Sequence, residues 1–521
     1  MDTANSESIP TPVTRPKSNS HANSANANSD TQAKDWEDYR YGDVKTFKDL
    51  PSRAFGFNQH MLINDELKAA LTQMLRDFRA PIVFCFAYGS GVFPQEAGNH
   101  HVTDAQFRAV HPKPPDALRK TQNGRPKMID FIFGVSFSND WHWRNIRQHR
   151  DHYSGLASLG SWATSTVQEK MGAGVYFNTN VVMNGMLIKY GVTTIQNLCN
   201  DLSSWETLYL AGRLHKPVKI LRDNAAVRVA NQQNLVGAVR TALLMLPETF
   251  TEFDLFRTIA GISYLGDPRM SLPTENRSKV NNIVANNFVN FRRLYAPLID
   301  KLPNIQYPGG TDVGNMDWIE SPQFRRLEQD MDPVKRANMV RRLPSSFRTK
   351  LYFQYQAKFG MTRGEYMRLM EESSDSDAAG IKRKQGGEFE MRIAQDGVED
   401  ITAMVRKAIE QTIYWPSMTQ SAKGLLTAGV SKSVNYVASK WSRYGEGKAE
   451  EARQALGAKA AKEVVKNASD TDLTEDKADQ TDPKSTEEPE EKPNHERKNS
   501  GSGTSHTASR TDSKSSPRAE P

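Results

Sequence analysis

The sequence predicts an α/β protein, in which a small mixed sheet with helices is followed by a mainly α unit. Two short apolar runs rich in Val, Ile and Phe, PIVFCFAY (81–88) and KMIDFIFGV (127–135), indicate buried strands. Asn184-Gly185 separates two further apolar runs within 175–192 and predicts a β-hairpin. After residue 233 the apolar residues recur at helical spacing, which indicates a change of architecture.

The first unit is predicted, in chain order, as helix, strand, loop, strand, hairpin and strand. Residues 65–80 carry leucines and Met74 at helical spacing and predict an amphipathic helix. The polar, proline-containing stretch 94–127 predicts a long loop or insertion. HKPVKILRD (215–223) predicts the last strand of this unit.

The second unit is predicted to be mainly helical. Residues 234–264 predict two helices, and Thr251 and Asp254 fit a capping pattern at the start of the second. Helical spacing continues through 278–299. A polar, glycine-containing stretch at 372–388 predicts a flexible connection.

Composition divides the 521 residues into five segments. No aromatic residue precedes Trp36 and none follows Tyr444, so both ends lack the apolar area that offsets the entropy cost of ordering. The predicted segments are a disordered tail (1–34), an α/β domain (35–232), a mainly helical domain (233–400), amphipathic helices (401–444) and a disordered charged tail (445–521).

The amphipathic segment carries two apolar stripes and no acid between Glu410 and Glu446. The stripes and the basic residues beside them are Ile401, Val405, Ile409 and Ile413, then Leu426, Val430, Val434, Val437 and Trp441, with Lys423, Lys432, Lys440 and Arg443. A basic face opposite an apolar one is typical of a helix that lies in an anionic membrane surface. The alternative is a terminal helix that packs on the core and exposes its lysines.

Several protein classes are excluded by composition. Two cysteines, Cys85 and Cys199, cannot form a disulfide framework or a cysteine zinc site, and they fit a reducing compartment such as cytosol or mitochondrial matrix. No apolar run reaches the roughly 18 residues of a transmembrane helix, and no secretory signal is recognisable. The net charge of +7 allows an anionic partner without choosing nucleic acid, lipid or nucleotide.

The first predicted strand runs into Gly89-Ser90-Gly91. Glycine lets the backbone approach an anion, and the Ser90 hydroxyl can donate to a phosphate oxygen. The sequence is not a Walker loop, because Gly-Lys-Ser/Thr is absent, and it does not match the Gly-x-Ser-x-Gly elbow of hydrolases. The alternative to a phosphate loop is a structural turn.

The second predicted strand carries a single acid, Asp130, among apolar residues. Such a carboxylate is costly to bury without a cation or hydrogen-bond donors. Beside a phosphate loop its natural partner is Mg²⁺, whose other ligands would be waters and phosphates. The alternative is a strand-edge aspartate that faces solvent. His142, His149 and His152 match no standard zinc spacing.

Gly-Ser followed by an Asp-bearing strand resembles the signature of nucleotidyltransferases, which bind phosphates at Gly-Ser and Mg²⁺ on strand carboxylates. Their usual second acid is replaced here by Ile132, so a second ligand would have to come from elsewhere, with Asp140 and Asp223 as possible donors. Longer blocks resemble one family, the mitochondrial phosphatidate cytidylyltransferases or translocator assembly and maintenance proteins. These blocks are YGSGVFPQ, DFIFGV, WHWRN, HYS (152–154), GAGVYFNT, IKYGV, LYLAGRLHKPVK, IAGISYLGDPRM and PSMTQSAKGLLTAG, in order over most of 50–300 plus 401–440.

The resemblance implies that CTP and phosphatidate react, with Mg²⁺, to give CDP-diacylglycerol and pyrophosphate, an early step towards cardiolipin. It implies a nucleotidyltransferase domain followed by a winged-helix-like domain, with the active site between them. It also implies a peripheral protein on the matrix face of the mitochondrial inner membrane, with no transmembrane span and no nucleic acid partner.

The same resemblance suggests roles for individual residues. Asp130 would hold Mg²⁺, and Lys189 and Lys219 would act beside it as catalytic phosphate contacts, unless they are surface lysines. The remaining nucleotide- or phosphate-binding candidates are Gly89, Ser90, Gly91 and Arg213. His142 and Asn145 are added because they follow Asp130 closely enough in sequence to reach the pocket, with a buried or capping role as the alternative.

Two other functions remain open at this stage. One is a nucleotidyltransferase that acts on RNA or on a soluble phosphorylated metabolite. The other is a non-catalytic mitochondrial translocase assembly factor that keeps a nucleotidyltransferase-like shell, for which Ile132 is the best support.

Overall fold

The computed structural model describes residues 35–95, 102–122, 126–271, 278–372 and 385–428. Both predicted disordered tails, most of the predicted connection at 372–388 and residues 429–444 lie outside this part of the chain. All described residues belong to one compact unit.

The predicted mixed sheet is confirmed as five strands in the order β3-β4-β2-β1-β5. The pair β2–β4 is parallel and the other three pairs are antiparallel. The elements of this part are α1 (Asp65–Arg76), β1 (Phe84–Tyr88), α2 (Asp104–Val110), α3 (Asp116–Thr121), β2 (Ile129–Val135), α4 (Ser138–Gln148), α5 (Gly160–Lys170), β3 (Tyr176–Met183), β4 (Met186–Thr194), α6 (Ile195–Ser204), α7 (Ala211–Leu214) and β5 (Lys219–Arg222).

The hairpin predicted at Asn184-Gly185 joins β3 to β4. Both turn residues have left-handed backbones, with φ of 48° at Asn184 and 73° at Gly185, as a tight two-residue hairpin requires. The segment 94–127, predicted as a loop, instead contains α2 and α3 in its described part. It packs on the hairpin, because Lys113 N–H donates to the Gly185 carbonyl at 3.1 Å.

The register of the central strands decides which side chains share a face of the sheet. Asp130 lies between Tyr88 on β1 and Lys189 on β4, and paired residues project to the same side. Ala87, paired with Lys219 on β5, projects to the opposite side. We call the side with Asp130 the site face and the other side the anchor face.

The helical part begins with α8 (Ala225–Leu244), which is buried along almost its whole length. The predicted domain boundary at 232/233 falls inside this helix, and one apolar core extends from Met61 to Ile413, so the division into domains stays a prediction. The capping box predicted at Thr251 and Asp254 is confirmed at the start of α9. The elements after α8 are β6 (Thr249–Thr251), α9 (Glu252–Leu265), α10 (Lys279–Asn286), α11 (Phe288–Ile299), β7 (Ile305–Gln306), α12 (Met316–Glu320), β8 (Arg326–Gln329), α13 (Pro333–Arg341), α14 (Ser345–Lys358), α15 (Arg363–Glu372), α16 (Glu388–Ala394) and α17 (Val398–Ala428).

A second, three-stranded sheet has the order β6-β8-β7 and lies among these helices. The coarse prediction of an α/β protein is therefore confirmed, while the nucleotidyltransferase and winged-helix assignments remain predictions. None of the described helices combines the length and the low polarity needed to cross a bilayer.

Helix α17 corrects part of the prediction for the amphipathic segment 401–444. Its first stripe, Ile401, Val405, Ile409 and Ile413, is buried in the core instead of facing a membrane. Lys423, which we expected on a basic surface, is also fully buried. Its ammonium donates to the carbonyls of Val167, Gln168 and Met171 at 3.4, 3.2 and 2.6 Å, at the end of α5.

Candidate active site

Asp130 is the centre of the site face. Its side chain is 27% exposed, and its Oδ1 lies 3.8 Å from the Lys189 ammonium on the neighbouring parallel strand. Tyr88 lies beside it on β1. The Lys189 ammonium also lies 4.7 Å from the ring centre of Phe177, within the range of a cation–π contact. The structure thus brings Asp130 and Lys189 together, and their catalytic roles stay predictions.

The Gly89-Ser90-Gly91 bend lies next to this carboxylate. Gly89 has φ of 79°, and its carbonyl accepts from Val92 N–H at 3.1 Å and from Phe93 N–H at 2.9 Å, which closes a tight turn after β1. A Cβ on Gly89 would lie 3.6 Å from Asp130 Oδ2, and one on Gly91 would lie 2.5 Å from the Met128 carbonyl. Glycine is therefore required sterically at Gly91, and the bend and Asp130 face the same space.

No helix begins directly after this bend in the described residues up to 95. The partial positive field of a helix N-terminus, which would have assisted phosphate binding, is therefore absent from this stretch. Anion binding at the bend would rest on backbone N–H groups, on the half-buried Ser90 and on nearby cations.

Burial raises the pKa of the Asp130 carboxyl group. The positive charges of Lys189, Arg213 and Lys279 act in the opposite direction and favour the ionised form. These three cations come from β4, α7 and α10, so both the sheet and the helical part contribute positive charge near the carboxylate. A site with one carboxylate and several cations is suited to binding a polyanion that is complexed with a metal ion.

Arg213 is fixed against the sheet by two tyrosines. Its Nε donates to the Tyr88 hydroxyl at 3.2 Å, and its guanidinium lies 3.9 Å from the ring centre of Tyr209. Because Tyr88 is the register neighbour of Asp130, Arg213 is held close to the carboxylate. The structure thus places Arg213 near Asp130, and its role as a phosphate contact stays a prediction.

Lys216 and Lys279 were not among the predicted site residues. The Lys216 ammonium donates to the Ser263 hydroxyl of α9 at 2.7 Å, and Lys216 and Lys279 lie 5.0 and 5.5 Å from the ring centre of Tyr264. Burial, Arg213 and Lys279 lower the pKa of Lys216 to about 7. The position of Lys216 three residues after Arg213 could have indicated from the sequence that it lies near the site, whereas no local sequence pattern indicated Lys279.

Lys219 is not part of this group. It pairs with Ala87 and so lies on the anchor face, where its ammonium donates to the Met61 carbonyl at 2.6 Å. Burial is the main cause that lowers its pKa. The alternation of side chains along a strand therefore places Lys219 on the opposite side of the sheet from Asp130.

His142 and Asn145 also lie away from Asp130, in a buried network on the anchor face. The two ring nitrogens of His142 lie 2.9 Å from the Tyr153 hydroxyl and 2.8 Å from Gln168 Oε1. Asn145 donates to the hydroxyls of Tyr153 and Tyr190 at 2.9 and 3.0 Å. Both residues follow Asp130 closely in sequence, but α4, which carries them, packs on the anchor face. Their contacts are therefore those of buried residues, which was the alternative to a phosphate-binding role.

The residues present fit a magnesium ion only in part. Asp130 is a suitable single carboxylate ligand, and the remaining positions would go to phosphate oxygens and water, as is usual for Mg²⁺. Ile132 occupies the position of the usual second acid and is fully buried. Asp223 pairs with Arg228 and with His60, and Asp140 pairs with Arg144 at 3.0 Å, so both are engaged elsewhere.

A separate cluster, His149, Asp151 and His152, has its potential ligand atoms within 4.8 Å of one another. The two imidazoles stack with centres 4.4 Å apart and planes 1° from parallel. A metal ion binds in the plane of each imidazole, and two parallel, separate planes share no such point. One nitrogen of His152 also lies 2.8 Å from the Tyr190 hydroxyl. We therefore assign no metal to this cluster.

Comparison with known proteins gives a consistent result. A family model described as "Phosphatidate cytidylyltransferase, mitochondrial" matches residues 71–443. Three curated relatives carry that same name. The one from Schizosaccharomyces pombe is 34% identical over 74% of this chain and 88% of its own length. The one from Xenopus laevis is 36% identical over 71% of this chain and 92% of its own length, and the one from Homo sapiens is 33% identical over 71% of this chain and 70% of its own length.

Proposed function

Because the chain belongs to the mitochondrial phosphatidate cytidylyltransferase family, we propose that it transfers the cytidylyl group of CTP to phosphatidate. The products would be CDP-diacylglycerol and pyrophosphate, which is an early step of cardiolipin synthesis. The observation that carries this proposal is the common position of Asp130, the Gly89 bend, Lys189 and Arg213 on the site face.

The reaction needs no activated serine or cysteine, because the phosphate of phosphatidate is itself the nucleophile. One of its oxygens forms a bond to the α-phosphorus of CTP. The bond from that phosphorus to the bridging oxygen of the β-phosphate breaks, and its electron pair leaves with pyrophosphate. The protein's task is to align two anions that repel each other and to stabilise the charge that develops between them.

The residues of the site face can divide this task. Backbone N–H groups at Gly89 to Gly91 and the Ser90 hydroxyl would hold phosphate oxygens, and Lys189 and Arg213 would neutralise them. Mg²⁺, when bound at Asp130, would supply further charge neutralisation on the phosphates. Tyr88 and Tyr209 act indirectly, since they fix the guanidinium of Arg213.

The family also suggests where in the cell the protein acts. We place the protein in mitochondria, as its relatives' names state, and propose a peripheral position on the matrix side of the inner membrane. Support comes from α17, where Tyr414, Trp415 and Met418 are exposed on one stretch of helix. Exposed Tyr and Trp are the side chains that favour a membrane interface.

The test uses the full-length protein with labelled CTP, Mg²⁺ and phosphatidate in liposomes. Wild-type protein is expected to form labelled CDP-diacylglycerol, and Asp130→Asn to lower the rate by roughly a hundredfold or more, because the carboxylate that would hold Mg²⁺ on the phosphates is lost. Asp140→Asn is a matched control, since Asp140 is a half-exposed surface carboxylate.

Absence of product with wild-type protein would contradict the transferase activity and favour the assembly-factor alternative. Full activity in Asp130→Asn would remove Asp130 from the mechanism. Equal activity on a soluble phosphorylated acceptor without liposomes would contradict phosphatidate as the substrate.

A further inference from the structure

The aromatic ring of Phe177 forms one wall of the site face beside Lys189. Phe177 lies on β3 and pairs with Gly191 of β4, two residues after Lys189, so these three positions lie on the same side of the sheet. Phe177 is buried, and its ring centre lies 4.7 Å from the Lys189 ammonium, which is 3.8 Å from Asp130 Oδ1. One ring thus contacts the cation that lies against the candidate metal ligand.

Gly191 leaves the space that this ring occupies. A Cβ on Gly191 would lie 2.6 Å from Phe177 Cε1 and 2.9 Å from Ile132 Cδ1, so a larger residue would have to displace one of them. Ile132 pairs with Gly191 from the other neighbouring strand. The isoleucine in the place of the usual second acid therefore packs in the same small space as the ring. This side of the site is thus built around an aromatic ring.

The Phe177 ring also connects Lys189 to Arg213. Its centre lies 6.4 Å from that of the Tyr209 ring, in an edge-to-face arrangement, and the Tyr209 ring centre lies 3.9 Å from the Arg213 guanidinium. Arg213 in turn donates to Tyr88, a strand neighbour of the carboxylate at the centre of the site. The side chains thus form a closed circle of contacts around that carboxylate, with two aromatic rings between two cations.

Tyr209 is held in place by its own backbone. It lies in the segment 207–211, and the buried Asp201 carboxylate in the last turn of α6 accepts hydrogen bonds from the Thr207 hydroxyl and from four backbone N–H groups of this segment, at 2.8 to 3.0 Å. Hydrogen bonds to a charged carboxylate are strong, so five of them fix the segment. The Phe177 ring therefore packs against a rigid support.

A lysine has a long, flexible stem, and contacts with other groups decide where its ammonium lies. We propose that Phe177 is a positioning residue: its ring holds the Lys189 ammonium beside Asp130 and, through Tyr209, keeps it at a fixed distance from Arg213. The inference rests on the proposed cytidylyl transfer. Both cations would then be in place before the triphosphate binds, so the loss of freedom on ordering them would not weaken binding or slow the reaction.

A double-mutant cycle tests whether Phe177 acts through Lys189. The full-length protein is assayed for turnover of CTP with phosphatidate liposomes and Mg²⁺, and for CTP binding by titration calorimetry in the same buffer without phosphatidate. Phe177→Leu, which keeps an apolar side chain and removes the ring, is expected to lower kcat by about tenfold and to weaken CTP binding by about threefold. In a Lys189→Met background the same change should alter both quantities by less than about twofold.

Two further variants separate positioning from packing. Phe177→Tyr, which keeps the ring, should retain most of the wild-type kcat. Gly191→Ala, which displaces the ring without removing it, should resemble Phe177→Leu and takes its place in the cycle if Phe177→Leu does not fold. The matched control is Phe359→Leu, because the Phe359 ring centre lies 4.4 Å from the guanidinium of Arg392 on α16, in the helical part of the molecule. This control should keep the wild-type kcat and CTP affinity.

Equal losses from Phe177→Leu with and without Lys189 would show that the ring serves only the packing of the sheet, and would overturn the inference. Wild-type kcat and CTP affinity in Phe177→Leu would overturn it as well, as would wild-type protein that does not bind CTP. Wild-type protein that shows the coupling in CTP binding but forms no CDP-diacylglycerol would contradict the proposed function and leave Phe177 as the residue that positions Lys189.

Discussion

At the scale of single residues, two buried histidines make stability depend on pH. His142 lies between Tyr153 and Gln168, and burial lowers its pKa to about 4 from an ordinary value of 6.5. His215 lies 2.9 Å from the Asn234 side-chain oxygen, and burial lowers its pKa to about 3. Both groups stay neutral in the folded protein at pH values where the unfolded chain would bind a proton.

The free energy of unfolding should therefore be unaffected by these groups above pH 6.5 and should fall as the pH decreases below it. We expect each histidine to contribute a loss of up to about 1.4 kcal/mol per pH unit down to about pH 4. Urea unfolding at several pH values measures this slope. His142→Gln should reduce the slope by roughly one proton, and an unchanged slope in this variant would contradict the assignment.

At the scale of elements, the end of α17 is fixed to the sheet by polar contacts. Gln420 donates to the Val175 carbonyl at 3.1 Å, and Lys423 donates to three carbonyls at the end of α5. Helices leave their last carbonyls without partners inside the helix, so Lys423 acts as a cap supplied by another element. Burial lowers its pKa to about 7.

Replacing Lys423 with Met should destabilise the protein by about 1–3 kcal/mol, because buried carbonyls would lose their donor. Thermal or urea unfolding would show the change. Lys407→Met is the control, since Lys407 is an exposed lysine on the same helix. If both variants unfolded like the wild type, Lys423 would have no capping role.

These contacts also show how far the sequence could be interpreted. Asn184-Gly185 and the apolar runs predicted the sheet. The glycine bend and Asp130 could be placed together because the bend ends one apolar strand and Asp130 interrupts the next. Sequence alone could not say which face Lys219 occupies, since that depends on its register with β1. Lys279 joins the site through tertiary packing, about 150 residues after Asp130, so no local pattern predicts it.

At the scale of the whole molecule, the proposed membrane attachment depends on basic residues that follow the described end of α17. Its described end exposes Tyr414, Trp415 and Met418 while Lys423 faces inwards. The basic residues left for a membrane are Lys432, Lys440 and Arg443, which lie outside the described residues. Each basic residue near an anionic surface contributes on the order of 1 kcal/mol.

Changing Lys432, Lys440 and Arg443 together to Gln should therefore weaken binding to anionic liposomes by roughly a hundredfold, as measured by flotation. Raised salt should weaken wild-type binding in the same direction. Lys407→Gln should float like the wild type. Unchanged flotation of the triple variant would show that these charges do not hold the protein on lipid.

Successive side chains of β4 point to opposite faces of the sheet, and this limits which insertions and deletions the chain can tolerate. Lys189 faces the site and Tyr190, the next residue, faces the buried network with Asn145 and His152. Inserting or deleting a single residue in β2 or β4 would exchange the two sides and remove both at once. Length changes in residues 129–135 or 186–194 should therefore disrupt the fold and the chemistry together.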